Sequence, residues 1–315
     1  MIRTILVPTD FSESADSALE HAFFHARLHD AQVHLLHVVE RPFVTVPELP
    51  DEIFQMAADH ARESVRILLR RHERTLNDLM VTVVPQKSSH TIAEEVVAFA
   101  VDNRCDMIVM GTHGRRGPRR LLLGSVTEDV LRHAGIPVLT VRQDESLVMD
   151  DGNRHILVPL DLGDGTDPAI RMATDLALKM NARLELLHVV DVGFFPYYGI
   201  LEDPVLALEE KAMKHAGAML LQRADAIRSV GIDVEIHRRK GPVADRILNF
   251  ISENELDLVV MASHGRDGLD RVLLGSITER VLRGAHVPVL VAPVSDHQGR
   301  AGARHAGEEA LQLDQ

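Results

Sequence analysis

The 315-residue chain is long for one compact domain and suits two of ordinary size. With 45% hydrophobic and 26% charged residues, each half can bury a core, which excludes a disordered chain. A formal net charge of −13 argues against a nucleic-acid partner, since phosphates would be repelled, and the single cysteine, Cys105, excludes an intrachain disulfide framework.

The opening MIRTILVPTDFSES turns polar after a short apolar run and lacks the apolar core of a signal peptide. No apolar stretch approaches the roughly 18–20 residues that span a bilayer, so a soluble cytoplasmic protein with no membrane partner is expected. TILVP (4–8), VHLLHVV (33–39), VTVVP (81–85), MIVMG (107–111) and PVLTV (137–141) are short apolar runs of the kind buried on both faces of a parallel sheet. Helical stripes separate them: Ala15, Ala18, Leu19, Ala22 and Ala26 form one, and Ile92, Val96, Val97 and Ala100 another. His21, His25 and His29 share a face of the first helix at metal-ligand spacing. Cys105, ahead of the fourth run, reads as a small core residue. Five strands alternating with helices predict an α/β, doubly wound, Rossmann-like parallel sheet, and the order 3-2-1-4-5 brings the ends of the first and fourth strands, Asp10 and Gly111, to the binding crevice.

The same pattern then recurs at a constant offset of 151 residues. RTILVPTD (3–10) aligns with RHILVPLD (154–161), LLHVVE (35–40) with LLHVVD (186–191), and IPVLTV (136–141) with VPVLVA (287–292). The unit is too long for a solenoid repeat, so each copy is expected to fold as a domain, over 1–142 and 154–294. A polar linker at 143–153 and a mobile tail at 295–315 are expected. In the second copy Met172, Leu176 and Met180 stand where the first has His21, His25 and His29, which favours packing or interface histidines over metal ligands. GDG at 163–165 starts like a dinucleotide fingerprint, but Pro168 closes it and Asp164 would repel phosphate; a turn is expected.

GTHGRRGPRRLLLGS (111–125) is repeated as ASHGRDGLDRVLLGS (262–276). Gly111 and Gly114 allow backbone amides to approach a ligand, and Ser125 and Thr127 open a helix after Gly124, which makes an anion site. A plain strand–helix connection with a Ser N-cap is the bland alternative, and its repetition at matched spacing counts against it.

Gly111-x2-Gly114-x9-Gly124-Ser125 matches the ATP-binding pattern of the universal stress protein family, G-x2-G-x9-G-[ST]. VPTDFSES, LLHVV and IPVLTV also resemble that family, and the resemblance covers both halves. It implies ATP, with Mg²⁺, held across the switch point. Pro8, Thr9 and Asp10 would then meet ribose or adenine, Val38 would offer backbone bonds to the base, and Met110, Gly111 and His113 would line the ribose. Gly114, Gly124, Ser125, Val126 and Thr127 would cradle the triphosphate. The equivalents in the second half are Pro159, Asp161, Val189, Met261, Ala262 and His264, then Gly265, Gly275, Ser276, Ile277 and Thr278. Ala262 replaces the first glycine and Leu160 replaces a threonine, which sets the second site apart.

No G-x4-G-K-[ST], H-E-x-x-H or G-x-S-x-G stretch is present, so no catalytic residue is assigned. The leading expectation is an ATP-binding stress-response regulator; a slow ATPase or autokinase and a nucleotide-free interaction module are the alternatives. Val138–Val141 and Val289–Ala292 read as apolar edge strands that can cover each other as an internal pseudo-dimer, with a homodimer of the whole chain as a further assembly.

Overall fold

A computed structural model describes residues 1–40, 51–71, 79–86, 90–112, 123–143, 154–163, 166–191, 202–263 and 274–293, with backbone alone at 51–54 and 202–208. The first half runs β1 (Thr4–Pro8), α1 (Glu13–His29), β2 (Gln32–Val39), α2 (Asp51–Arg71), β3 (Met80–Pro85), α3 (Ile92–Asp102), β4 (Met107–Gly111), α4 (Ser125–His133) and β5 (Val138–Val141). The second repeats it as β6 (Arg154–Pro159), α5 (Asp167–Met180), β7 (Ala182–Val190), α6 (Glu202–Arg228), β8 (Val234–Lys240), α7 (Val243–Glu253), β9 (Leu258–Ala262), α8 (Ser276–Gly284) and β10 (Val289–Ala292). Nearly all of the expected linker and the whole expected tail lie outside the described residues. No helix among the described residues is long and apolar enough to cross a membrane.

Local chemistry sets several boundaries. Ser12 caps α1 by accepting from the Ala15 amide at 3.3 Å, and Thr91 and Glu94 form a reciprocal capping box at the start of α3. Asp30 and Asn181, related by the repeat, end α1 and α5 in the left-handed region at φ 53° and 51°.

The strands form one sheet in the order β3-β2-β1-β4-β5-β10-β9-β6-β7-β8, so each half has the order 3-2-1-4-5. All pairs within a half are parallel, because each strand is joined to the next one in the chain through a crossover helix. Where the halves meet, β5 pairs with β10 antiparallel: Val138 opposes Val291, Leu139 opposes Leu290, and Thr140 opposes Val289. Thr140 Oγ1 also donates to the Val289 carbonyl at 3.2 Å, and Arg142 donates to the Arg283 carbonyl at 2.6 Å. The outer strand β8 reads VEIHRRK and carries charge along its exposed length, which blunts that edge.

Alternating side chains feed two apolar layers. Ile5, Val7, Leu139, Ile156 and Leu290 pack beneath α1, α2, α5 and α6. Leu6, Ile108, Val138, Leu157 and Val289 pack on the other face beneath α3, α4, α7 and α8. Both layers run through the two halves without a break.

The three histidines of α1 are buried where the first half meets the second. His29 Nδ1 lies 4.0 Å from Asp175 Oδ2 on α5, and the Arg154 guanidinium of β6 sits 4.8 Å over the Phe24 ring. Burial, then the neighbouring His21, His29 and Arg154, pull the pKa of His25 from 6.5 down to about 3. The folded protein therefore holds this ring neutral while the unfolded chain protonates it near pH 6.5, so its share of stability is present above that pH and is lost as pH falls toward the folded value. His25→Leu installs the residue found at Leu176. It should flatten the acid limb, losing about 1–2 kcal/mol less stability than the native chain between pH 7 and pH 5 in urea denaturation. Parallel acid limbs in the two proteins would refute this.

Candidate functional site

The site is assembled at the carboxyl ends of β1, β2 and β4, where chain order reverses across the sheet. After Pro8 the chain does not leave the sheet at once: the Thr9 amide donates to the Leu36 carbonyl at 2.8 Å. Thr9 Oγ1 then accepts from the Phe11 amide and Asp10 Oδ1 from the Ser12 amide, each at 3.0 Å, folding a tight turn into α1. Phe11 takes φ 61°, a conformation most side chains avoid, and its ring packs at a tilt against His37 with centroids 4.7 Å apart. His37 Nδ1 donates to the Thr9 carbonyl at 2.8 Å and ties the turn to β2.

The second half builds the same turn. Leu160 N–H donates to Leu187 O at 2.8 Å, His188 Nδ1 donates to Leu160 O at 2.6 Å, and Asp161 Oδ1 accepts from the Gly163 amide at 2.9 Å. Leu162 repeats the left-handed residue at φ 64°. Replacing Thr9 by Leu160 therefore removes a side-chain acceptor and leaves the backbone path unchanged. The other oxygen of Asp161, Oδ2, is buried with no hydrogen-bond partner among the described residues. His37 and His188 were missed as site residues, although LLHVV places a histidine there in both copies.

The glycine-punctuated loop is closed by the same bonds twice. Thr112 donates its amide to Val141 O at 2.9 Å and accepts from the Gly124 amide at 2.8 Å; Ser263 does the same with Ala292 and Gly275 at 2.9 Å each. Thr127 Oγ1 donates to Gly111 O at 2.9 Å, and Thr278 Oγ1 to Ala262 O at 3.1 Å, so these buried hydroxyls latch each helix to its strand. Gly124 and Gly275 occupy the N-cap positions with extended ψ and offer no side-chain cap, which leaves the first-turn amides of Ser125, Val126 and Thr127, and of Ser276, Ile277 and Thr278, for another acceptor. Ser125, Ser276 and Ile277 are exposed, while Val126 is half-buried. Val38 and Val189 are buried in β2 and β7, and Met110 and Met261 sit in the apolar layer beneath α3, α4, α7 and α8. His113, Gly114, His264 and Gly265 lie outside the described residues.

Gly111 has a structural reason of its own. A Cβ there would stand 2.6 Å from Ser14 Oγ, 2.8 Å from Ser14 C and 2.9 Å from Ser14 Cβ, so the start of α1 can lie against β4 only if that Cβ is missing. In the second half Ala262 carries the methyl, and the repeat places Gly165, outside the described residues, where Ser14 stands. The Ala262 side chain joins the apolar layer beneath α5. Gly111→Ala should cost about 1–3 kcal/mol, because a buried, close-packed backbone must shift. Adding Ser14→Gly should recover part of that loss, and a double-mutant cycle by thermal or urea denaturation measures the coupling. Strictly additive costs would show that the Ser14 side chain is not the obstacle.

The sequence profile of the universal stress protein family matches residues 1–142 and again 152–293. A universal stress protein of Mycolicibacterium smegmatis is 28% identical over 293 residues, covering 91% of this chain and 96% of its own. One from Methanocaldococcus jannaschii is 35% identical over 139 residues, covering 44% of this chain and 81% of its own. The crystal structure of a universal stress protein from Archaeoglobus fulgidus has the same fold, with a TM-score of 0.66 at 22% identity over 93% of this chain and 98% of that one. With both halves matched and the same sheet built twice, the chain belongs to the universal stress protein family as a tandem two-domain member.

Proposed function

We propose that the protein is a cytoplasmic ATP-binding regulator of the stress response, with nucleotide held at the switch point of the first domain and of the second. The reading rests on one arrangement above all: in each half an uncapped helix N-terminus follows a glycine loop beside an aspartate-bearing turn. Uncapped amides and the positive end of the helix dipole suit phosphate oxygens. The orphaned Asp161 Oδ2 fits a ribose hydroxyl, which would donate to it and remove the cost of a buried unpaired oxygen.

In this reading Asp10 and Asp161 orient the ribose, and the backbone at Val38 and Val189 meets the base. Gly114 and the 124–127 turn, with Gly265 and the 275–278 turn, hold the triphosphate and its Mg²⁺. The metal supplies charge neutralisation of the phosphates when bound. The domains are taken as 1–142 and 154–294, and the β5–β10 pairing supports their packing as an internal pseudo-dimer about the Leu139–Leu290 contact.

The first site is the tighter one. Between Gly114 and Gly124 the chain carries Arg115, Arg116, Arg119 and Arg120, whereas between Gly265 and Gly275 it carries Arg266 and Arg271 against Asp267 and Asp270. Screening over about 8–10 Å reduces this difference without reversing it. ATP·Mg²⁺ at about 100 times the dissociation constant should stabilise the native protein by about 2.7 kcal/mol per occupied site. Gly114→Val should abolish the tighter site and Gly265→Val the weaker one, read by thermal shift and calorimetric titration. No shift in the native protein would sink the ATP reading; loss of the tighter site in Gly265→Val alone would reverse the ranking.

A further inference from the structure

Away from the carboxyl ends of the strands, a carboxylate lies inside the second half. Glu185 is in the middle of β7 with its side chain 7% exposed, among neighbours that include Leu157, Leu187 and Phe250 in the adjoining apolar layer. Its Oε1 accepts from His155 Nδ1 of β6 at 2.8 Å, and its Oε2 from His237 Nε2 of β8 at 2.7 Å. Glu235 Oε1, also on β8, is 3.9 Å from the same His237 Nε2. One donor atom from each of Glu185, Glu235 and His237 lies within 4.8 Å of the other two. Burial pushes the Glu185 carboxyl up, but the hydrogen bonds from His237 and His155 outweigh it and hold the group below the usual carboxylate range, so it is ionised at neutral pH.

We propose that His237, Glu185 and Glu235 bind one divalent transition-metal ion of the zinc class, with His155 as the group that holds Glu185 in place. A mixed set of imidazole and carboxylate donors selects such ions over magnesium or calcium, which take oxygen alone. Bonds of about 2.0–2.2 Å in a tetrahedral site set neighbouring ligand atoms about 3.3–3.6 Å apart. The observed 2.7 and 3.9 Å bracket that spacing. Glu235 is about half exposed and can move inward; Arg183 approaches only its Oε2, at 3.5 Å, and pairs more closely with Asp233 at 2.6 Å. The ion binds the Nε2 lone pair of the His237 tautomer whose proton sits on Nδ1, so the ring keeps its one proton, and a water fills the fourth position. His155, bonded to the far oxygen of Glu185, does what second-sphere partners of metal-bound carboxylates do: it fixes the orientation of the ligand.

The first half is an internal control. Register and repeat place Thr4, His34, Met80 and Thr82 where the second half has His155, Glu185, Glu235 and His237. There His34 Nε2 bonds Thr82 Oγ1 at 2.8 Å with Phe99 beside it at 4.7 Å, and His237 packs on Phe250 at the same 4.7 Å. The niche is the same, and only the second half furnishes it with carboxylates.

Full-length, tag-free protein stripped with a chelator is titrated with Co²⁺ by visible absorption and then with Zn²⁺ in competition, in the absence of nucleotide, so the outcome is independent of the ATP reading. The native chain should bind one equivalent with ligand-field bands of low coordination number. Glu185→Gln and His237→Ala should each remove that equivalent, and His155→Gln should weaken it by about 10–100-fold. Glu235→Gln alters an exposed side chain and should cost about tenfold or more; it decides the matter alone if the buried variants fail to fold. Failure of the native chain to bind Co²⁺, or unchanged stoichiometry and affinity in Glu235→Gln, overturns the proposal.

Discussion

The contact on which the rest of the molecule depends is the antiparallel pairing of β5 with β10. Each strand is only four residues long and fully buried, so neither can end a sheet facing water. Each buried valine or leucine there is worth about 1.5–3 kcal/mol relative to exposure, and the gain is available only when the other half supplies the cover. Once the strands pair, the two apolar layers become continuous and α1 is drawn against β6 and α5. The neutral ring of His25 on α1 follows from that contact, first because burial disfavours its charged form and then because it would face His21, His29 and Arg154.

The switch point rests on a smaller set of bonds that recur with little change. A backbone amide continues each first strand past its last residue, an imidazole ties the turn to the second strand, and a threonine hydroxyl ties the loop-following helix to the fourth. These bonds use the side chains of Thr127 and Thr278 for architecture and leave backbone amides at the helix start for a ligand. The result is a recurring frame built mainly from backbone bonds, which tolerates exchanges such as Thr9 for Leu160.

Against that constant frame the two halves have diverged by paired exchange. Gly111 beside Ser14 in one half becomes Ala262 in the other, where the sequence repeat has Gly165 in place of Ser14. His34 with Thr82 becomes Glu185 with His237, replacing a neutral hydrogen bond by a carboxylate held between two imidazoles. A buried carboxylate is tolerated only because two donors satisfy it.

Much of this was legible in the chain itself. Apolar runs buried on both faces, the constant 151-residue offset and the glycine spacing sufficed for the parallel sheet, the duplication and the placing of Asp10 and Gly111 at one end, because periodicity and turn chemistry are local properties. The apolar composition of VLTV and VLVA marked an edge in need of cover. What local pattern cannot encode is which distant atom a side chain meets. That Gly111 is empty to admit Ser14, that Thr127 turns back to a strand carbonyl, and that Ala262 packs beneath α5 are facts of helix-on-sheet approach. His155, Glu185 and His237 stand 30 and 52 residues apart and meet only because three parallel strands align in register. Those distances were decided by the tertiary structure alone, since crossover helices, not sequence neighbours, set the lateral order of a parallel sheet.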